Sequence, residues 1–90
     1  MKRRVVVTGI GAVTSLGCEV NELWTRILNG ESGVGMVERL DVSSYRVRIG
    51  GEIRDWSVEG YIESKDVKRF DRFVQFAQVA GVNAVADSGI

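Results

Sequence analysis

The sequence predicts an α/β protein, and three patterns indicate this class. A continuous apolar run at residues 4–8 predicts a strand buried on both faces, and a glycine-rich turn follows it at residues 9–17. Apolar residues at helical spacing predict helices at residues 19–29 and 64–88. Alternating apolar and charged residues predict a second strand at residues 46–53. Strands and helices therefore follow one another along the chain.

The turn at residues 9–17 has two candidate roles. Gly9 and Gly11 fit the start of the dinucleotide-binding pattern G-x-G-x-x-G, but the third glycine position holds Thr14. That site also needs a second strand ending in an acidic residue about 20 residues later, and residues 16–31 contain no strand-like run. A structural turn, in which glycine allows unusual dihedrals or close backbone contact, is the favoured interpretation.

The middle of the chain alternates between a helix, a loop and a strand. The helix at residues 19–29 is expected to stop at Asn29 and Gly30, and residues 31–38 are predicted to form a loop. The strand at residues 46–53 is expected to have one solvated face and a bulge at Gly50 and Gly51. Its pairing partner is not expected nearby in the sequence.

The last helical segment, residues 64–88, is expected to be interrupted near Phe70 and Asp71 and to end at Gly89. Within it, residues 76–86 are apolar on almost every side and rich in alanine. A helix that is apolar all round must be buried. The segment therefore predicts more core than 90 residues with two short strands supply.

Composition excludes several functional classes. The hydrophobic content of 44% and charged content of 27% are those of a soluble globular protein, and the net charge of zero argues against nucleic-acid binding or an anionic membrane surface. No apolar run approaches the roughly 18 residues of a membrane span, and residues 2–11 do not form a signal peptide. With one cysteine no internal disulfide is possible, which fits a reducing cytoplasm.

The residues that most often carry catalysis are scarce. The chain has no histidine, so Cys18, although it precedes a helix whose N-terminus favours a thiolate, has no imidazole base. Glu19 and Glu22 are interpreted as solvated residues at the positive end of the same helix. No metal-ligand spacing is present. We therefore predict no catalytic residue and no metal site in this chain.

Four cations form the strongest candidate for a functional surface. Lys65, Lys68, Arg69 and Arg72 are spaced i, i+3, i+4 and i+7, which would place them along one stripe of a continuous helix. The alternative is a solvated face, since Glu63, Asp66 and Asp71 are close enough in sequence to neutralise them. A docking surface for an acidic partner and an ordinary helix face both remain open on the residues alone.

The chain resembles the beginning of the β-ketoacyl-acyl carrier protein synthases, the condensing enzymes of fatty-acid synthesis, and their type II members in particular. The matching residues are 3–11, Thr14, Leu16, Gly17, Leu28, Gly30, 32–34, Asp41, Ser43, Tyr45, Gly51, Asp55, Trp56 and, within 65–89, Asp71, Phe73, Ala80, Gly81 and 87–89. The resemblance covers essentially the whole chain. Ser15 and Leu40 depart from it, since many relatives have proline and an aromatic residue there.

The resemblance implies a fold and a reaction. It implies that residues 1–90 are the amino-terminal segment of the family's N-terminal domain, in a thiolase-like fold layered α/β/α/β/α. The family reaction is a decarboxylating Claisen condensation that uses a cysteine nucleophile and two histidines. Their positions are expected beyond Ile90, so the isolated chain is expected to be inactive, and no cofactor is implied.

The resemblance also implies partners and site residues. Acyl carrier protein, which is acidic, is the expected partner, and the positions of Lys65, Lys68 and Arg69 are those that bind it; Arg72 has no such support. Gly9, Gly11 and Gly17 are the expected structural turn residues. A cytoplasmic homodimer without nucleic-acid or membrane partners is expected. A polyketide ketosynthase or its non-catalytic chain-length partner is an alternative within the family, and a nucleotide-binding oxidoreductase domain is one outside it.

Overall fold

The computed structural model describes residues 2–90, which form five regular elements in two compact units. In chain order they are α1 at Val20–Leu28, β1 at Val34–Met36, β2 at Ile49–Gly51, α2 at Ser64–Val67 and α3 at Arg72–Ser88. One unit comprises the chain up to Ala12 together with Val58–Ile90, and the other comprises Val13–Ser57. The first unit holds α2 and α3, and the second holds α1 and both strands.

The unit that contains α2 and α3 has a small core. Among residues 2–90, the buried apolar side chains are Val79, which is 2% exposed, and Val58. The predicted interruption of the last helical segment is confirmed, because α2 ends at Val67 and α3 begins at Arg72. The predicted end is confirmed as well, since Gly89 caps α3 with a left-handed φ of 74°.

The predicted strand at residues 4–8 is wrong for this chain. These residues have no regular secondary structure, and Val5 and Val7 are 94% and 82% exposed. A strand needs a neighbouring strand for its N–H and C=O groups, and the described part of this unit contains no other strand. The β-branched run is thus present without the sheet that it would join.

Full burial of residues 76–86 is also wrong, although one side of α3 is covered as expected. Val79 faces the core, whereas Val82 and Val85 are exposed. With three neighbouring residues they line an open groove of about 420 Å³. The residues lining it are Ala77, Gln78, Gly81, Val82 and Val85. The groove leaves a largely apolar face of α3 in contact with solvent.

The helix predicted at residues 19–29 is confirmed in the second unit. Both carboxylate oxygens of Glu19 accept backbone hydrogen bonds at the start of α1, from Asn21 N–H at 3.1 Å and Glu22 N–H at 2.8 Å. Asn29 caps the other end, and Gly30 follows with a φ of 73°. Local signals therefore define both ends of α1.

The two strands correct four predictions about the middle of the chain. The segment predicted as a loop contains β1, and the strand predicted at residues 46–53 is limited to β2. The strands pair antiparallel with Met36 opposite Ile49 and Gly35 opposite Gly50, so the partner of β2 is close in sequence and the ladder has no bulge there. Their apolar side chains, from Val34, Met36 and Ile49, are exposed.

Candidate functional site

The candidate basic residues lie in α2 and in the connection to α3. Lys65 is in α2, Lys68 caps its C-terminal end, and Arg69 follows in the connecting turn. All three side chains are exposed. We call these three residues the basic cluster. The cluster lies in one short segment of a single unit. Its side chains are accessible to a partner without any repacking of buried residues.

Two of the three cations already have an acidic neighbour. Lys65 Nζ lies 3.2 Å from Glu63 Oε2, and Arg69 Nη1 lies 3.5 Å from Asp66 Oδ1. For Lys68, the residues of the described chain provide no ion pair. The alternative interpretation, a solvated face neutralised by nearby acids, is therefore supported in part, since Glu63 and Asp66 do pair with the cluster.

Arg72 does not extend the cluster along one helix, so the predicted four-residue stripe is wrong. The α2 helix stops at Val67, and Arg72 is the first residue of α3. The Arg72 guanidinium carbon lies 5.4 Å from the centroid of the Phe76 ring, within the range of a cation–π contact. The spacing of i+7 holds only on an uninterrupted helix.

Gln75 holds the turn that carries Lys68 and Arg69, a role that the sequence does not predict. Its side-chain N–H₂ donates to the carbonyl oxygens of Val67 at 3.3 Å and Phe70 at 3.0 Å. Carbonyl groups at the end of a helix lack partners within the helix. Because Gln75 is only 8% exposed, these bonds form away from bulk water. The amide side chain of Gln75 within the largely apolar sequence of α3 was the available signal.

The first half of the glycine turn packs against α3. A Cβ atom on Gly11 would collide with the carbonyl oxygen of Ala80 and lie 2.8 Å from Ala84 N. A Cβ on Gly9 would likewise collide with the carbonyl oxygen of Ala84. Neither glycine has a positive φ, so close approach to α3 is what demands glycine here.

The backbone N–H group between these two glycines is already hydrogen-bonded to a carboxylate. Ile10 N–H donates to Asp87 Oδ2 at 2.9 Å. In a dinucleotide loop, free N–H groups face the pyrophosphate. At residues 9–11, by contrast, the Ile10 N–H faces an acidic side chain, and the backbone of α3 lies against both glycines. This geometry disfavours a phosphate ligand.

The second half of the turn is closed by its own hydrogen bonds. The backbone groups of Thr14 and Gly17 pair at 3.0 and 3.1 Å, and Thr14 Oγ1 donates to the Gly17 carbonyl at 2.9 Å. Gly17 has a φ of 144°, which residues with a side chain rarely adopt. Arg26 of α1 donates to the Leu16 carbonyl oxygen at 2.8 Å and ties the turn to the helix.

The remaining candidates have structural surroundings. Cys18 is a partly exposed free thiol just before α1. Glu19 caps α1, and Glu22 pairs with Arg26 at 2.8 Å. Within residues 2–90, histidine, cysteine and acidic side chains form no group of three that could hold a metal ion. The basic cluster is thus the candidate with the clearest surface for a partner.

Comparison with known proteins gives consistent matches over the whole chain. The profile of the family described as "Beta-ketoacyl synthase, N-terminal domain" matches residues 2–90. The chain is 43% identical over 89 residues to the chloroplastic 3-oxoacyl-acyl-carrier-protein synthase II of Arabidopsis thaliana, a match that covers 99% of this chain and 16% of that protein.

Bacterial proteins match to a similar degree. The 3-oxoacyl-acyl-carrier-protein synthase 2 of Synechocystis sp. is 39% identical over 87 residues, which is 97% of this chain and 21% of that protein. The synthase 2 of Staphylococcus aureus is 38% identical over 86 residues, or 96% of this chain and 21% of that protein. The chain therefore spans about a fifth of the length of the curated relatives it matches.

Proposed function

The chain belongs to the β-ketoacyl synthase family, as part of its N-terminal domain, and on this premise we propose that it is the amino-terminal segment of a 3-oxoacyl-acyl-carrier-protein synthase of fatty-acid synthesis. The observation that carries the proposal is the identity of 38–43% to synthases of this name across almost the whole chain. The family implies a thiolase-like fold, and the helices and small sheet are consistent with part of an α/β fold. We extend this to residues 1–90 of an N-terminal domain layered α/β/α/β/α.

The proposed enzyme lengthens an acyl chain by decarboxylating Claisen condensation. A cysteine thiolate first takes the acyl group from its carrier protein and forms a thioester. Malonyl-carrier protein then loses CO₂, and the resulting carbanion attacks the thioester carbonyl and expels the cysteine thiolate. Two histidines assist the decarboxylation and stabilise the developing negative charge. These 90 residues contain no histidine, so this segment contributes scaffold and docking surface rather than the reacting groups.

The proposed partner of the basic cluster is acyl carrier protein. Lys65, Lys68 and Arg69 are exposed and lie within five residues of one another in the sequence. Charged residues at the rim of an interface accelerate encounter and set orientation, while they leave dissociation fast. Such a surface suits a carrier that must arrive loaded, transfer its acyl group and leave. The geometry of the cluster therefore supports a transient docking role.

The proposed oligomeric state and cellular compartment are those that the family resemblance implies. We place the enzyme in the cytoplasm as a homodimer that needs no cofactor and has no nucleic-acid or membrane partner. A single cysteine and the balanced net charge of zero support this placement. Between residues 2 and 90, the structure contains no helix with the length and apolar character needed to cross a membrane.

A condensation assay tests the proposal. A full-length protein that carries these 90 residues is incubated with acyl-carrier protein and malonyl-carrier protein, and omission of either substrate is the control. We expect one CO₂ released and one 3-oxoacyl-carrier protein formed per turnover. Repeated extension to a poly-β-keto chain would indicate a polyketide ketosynthase instead. Absence of condensation, together with thermal stabilisation by NAD or NADP, would overturn the proposal in favour of a nucleotide-binding domain.

A further inference from the structure

Because of the ion pairs around the basic cluster, its three cations differ in how readily they can bind an acidic partner. Lys65 and its partner Glu63 are 77% and 73% exposed, so the pair is formed in water. Arg69 is also 77% exposed, and its partner Asp66 is partly covered. Within the described part of the chain, Lys68 is the member of the cluster with no carboxylate beside it. An incoming acidic group can bind Lys68 without displacing anything.

Exposed ion pairs are weak, but an intramolecular partner is always present. Glu63 is two residues from Lys65 in the sequence, so its local concentration is of the order of mM or higher, as for short flexible links. An acidic side chain of a carrier protein that binds Lys65 must replace Glu63. The same holds for Arg69 and Asp66.

We infer that Glu63 and Asp66 are built-in competitors of the acidic carrier protein, and that Lys68 makes its first contact with the cluster. This inference rests on the proposed docking function. Competition of this kind weakens the complex without altering its geometry. The cations that pair with Glu63 and Asp66 before binding are the same ones that contact the carrier protein after binding. The result is faster release of the carrier after acyl transfer.

Glu63 offers the cleaner test of the two acids. It occupies the N-cap position of α2, but its side chain makes no capping hydrogen bond. Replacement of Glu63 by Gln therefore removes a charge and leaves the helix start unchanged. Asp66 lies inside α2, and its carbonyl oxygen accepts the Arg69 N–H at 3.0 Å, so substitutions there are closer to the turn.

The experiment measures the Kd of acyl carrier protein for the full-length protein at low salt. We expect Glu63→Gln to tighten binding by about two- to fivefold, the range that corresponds to an exposed ion pair. Lys68→Gln is expected to weaken binding more than Lys65→Gln. In the Glu63→Gln background, Lys65→Gln should cost more than it does in the native protein, because Lys65 is then free to bind the carrier.

Glu31→Gln is the matched control. It makes the same change of net charge at an exposed residue of the other unit and should leave Kd unchanged. Tightening by Glu31→Gln as large as that by Glu63→Gln would overturn the inference, because a general charge effect would then explain both. If the lysine variants weaken binding while Glu63→Gln does not tighten it, the competition is wrong and docking stands. If no variant of the cluster changes Kd, the docking proposal fails and the inference fails with it.

Discussion

Gly9 and Gly11 are the single residues whose replacement the structure forbids most clearly, because the backbone of α3 occupies the space of any side chain. A Cβ on either would collide with a helix carbonyl oxygen, from Ala84 or Ala80. We expect Gly9→Ala and Gly11→Ala each to lower the free energy of unfolding of the full-length protein by more than about 1 kcal/mol. Thermal or denaturant unfolding measures the loss.

Gly35 provides the control for these glycines. A Cβ there would meet only Arg54 Nη2, at an ordinary distance of 3.5 Å, and its φ is not positive. Gly35→Ala should therefore stay within about 0.5 kcal/mol of the native protein. Equal stability of all three variants would mean that residues 9–11 are not packed against α3 in solution.

The charged carboxylate of Glu52 holds a loop in place by accepting hydrogen bonds from its backbone. Its carboxylate accepts the backbone N–H groups of Glu38 at 3.0 Å and Arg39 at 3.1 Å. These hydrogen bonds, with a smaller contribution from nearby arginines, hold the pKa of Glu52 below its ordinary value. A depressed pKa means that the stabilisation is complete above the ordinary glutamate pKa and is lost as the pH falls through the depressed one.

Amide hydrogen exchange in the full-length protein tests this role of Glu52. We expect the protection factors of Glu38 and Arg39, corrected for intrinsic exchange, to fall as the pH is lowered from 7 into the range where Glu52 protonates. The variant Glu52→Gln, which is neutral at every pH, should show weaker protection at pH 7 and little further change. Protection that is independent of pH in the native protein would show that the Glu52 carboxylate does not hold this loop.

Among the elements, α1 depends on an unusual cap. The Glu19 carboxylate accepts both Asn21 N–H and Glu22 N–H, which have no partners within the helix. We expect Glu19→Ala to destabilise the full-length protein by about 1 kcal/mol, as loss of an N-cap does, and Glu19→Asp to cost less because aspartate is a good N-cap. Denaturant unfolding provides the measurement, and equal losses for the two variants would show that capping is not the cause.

The helices could be predicted because their signals are local. The apolar spacing and the caps of α1, and Gly89 at the end of α3, are contained in the segments themselves. The strands could be predicted only in part: β2 lies within the segment predicted at residues 46–53, but strand formation also depends on a neighbour. Residues 4–8 have the composition of a strand but no partner strand in the described unit, whereas Val34–Met36 looks like a loop and pairs with β2.

The candidate site shows the same division. Residue type and spacing identified the exposed cations of the basic cluster. The separation of Arg72 from it, the ion pairs that single out Lys68 and the clamp by Gln75 depend on where α2 ends and how α3 packs. None of these features repeats at a fixed spacing in the sequence. The interruption predicted near Phe70 and Asp71 already indicated that Arg72 is separate, but the actual ion pairs and the contacts of Gln75 could be found only from coordinates.

At the scale of the whole chain, the exposed apolar surface predicts poor independent folding. Val5, Phe73 and Val85 are exposed, and the buried apolar residues in the described chain are few. We expect the purified 90-residue chain to bind a hydrophobic dye and to show weak near-ultraviolet circular dichroism despite Trp24 and Trp56. A sharp cooperative melt from a monomer, without dye binding, would contradict this expectation.

The ratio of two KM values, for acyl-carrier protein and for a small acyl thioester, decides whether the basic cluster docks the carrier protein. The full-length protein and its Lys65→Glu, Lys68→Glu, Arg69→Glu triple variant are assayed with acyl-carrier protein and with a small acyl thioester. Arg72→Glu serves as comparison and should have a smaller effect, since Arg72 lies over Phe76 and outside the cluster.

We expect the triple variant to raise KM for acyl-carrier protein at least about tenfold, because like charges placed opposite one another at an interface cost several kcal/mol. KM and kcat for the small thioester should stay at native values, and the native preference for the carrier-bound substrate should decline as added salt screens the charges. If the triple variant keeps the native ratio of the two KM values, Lys65, Lys68 and Arg69 form only a solvated surface and do not dock the carrier protein.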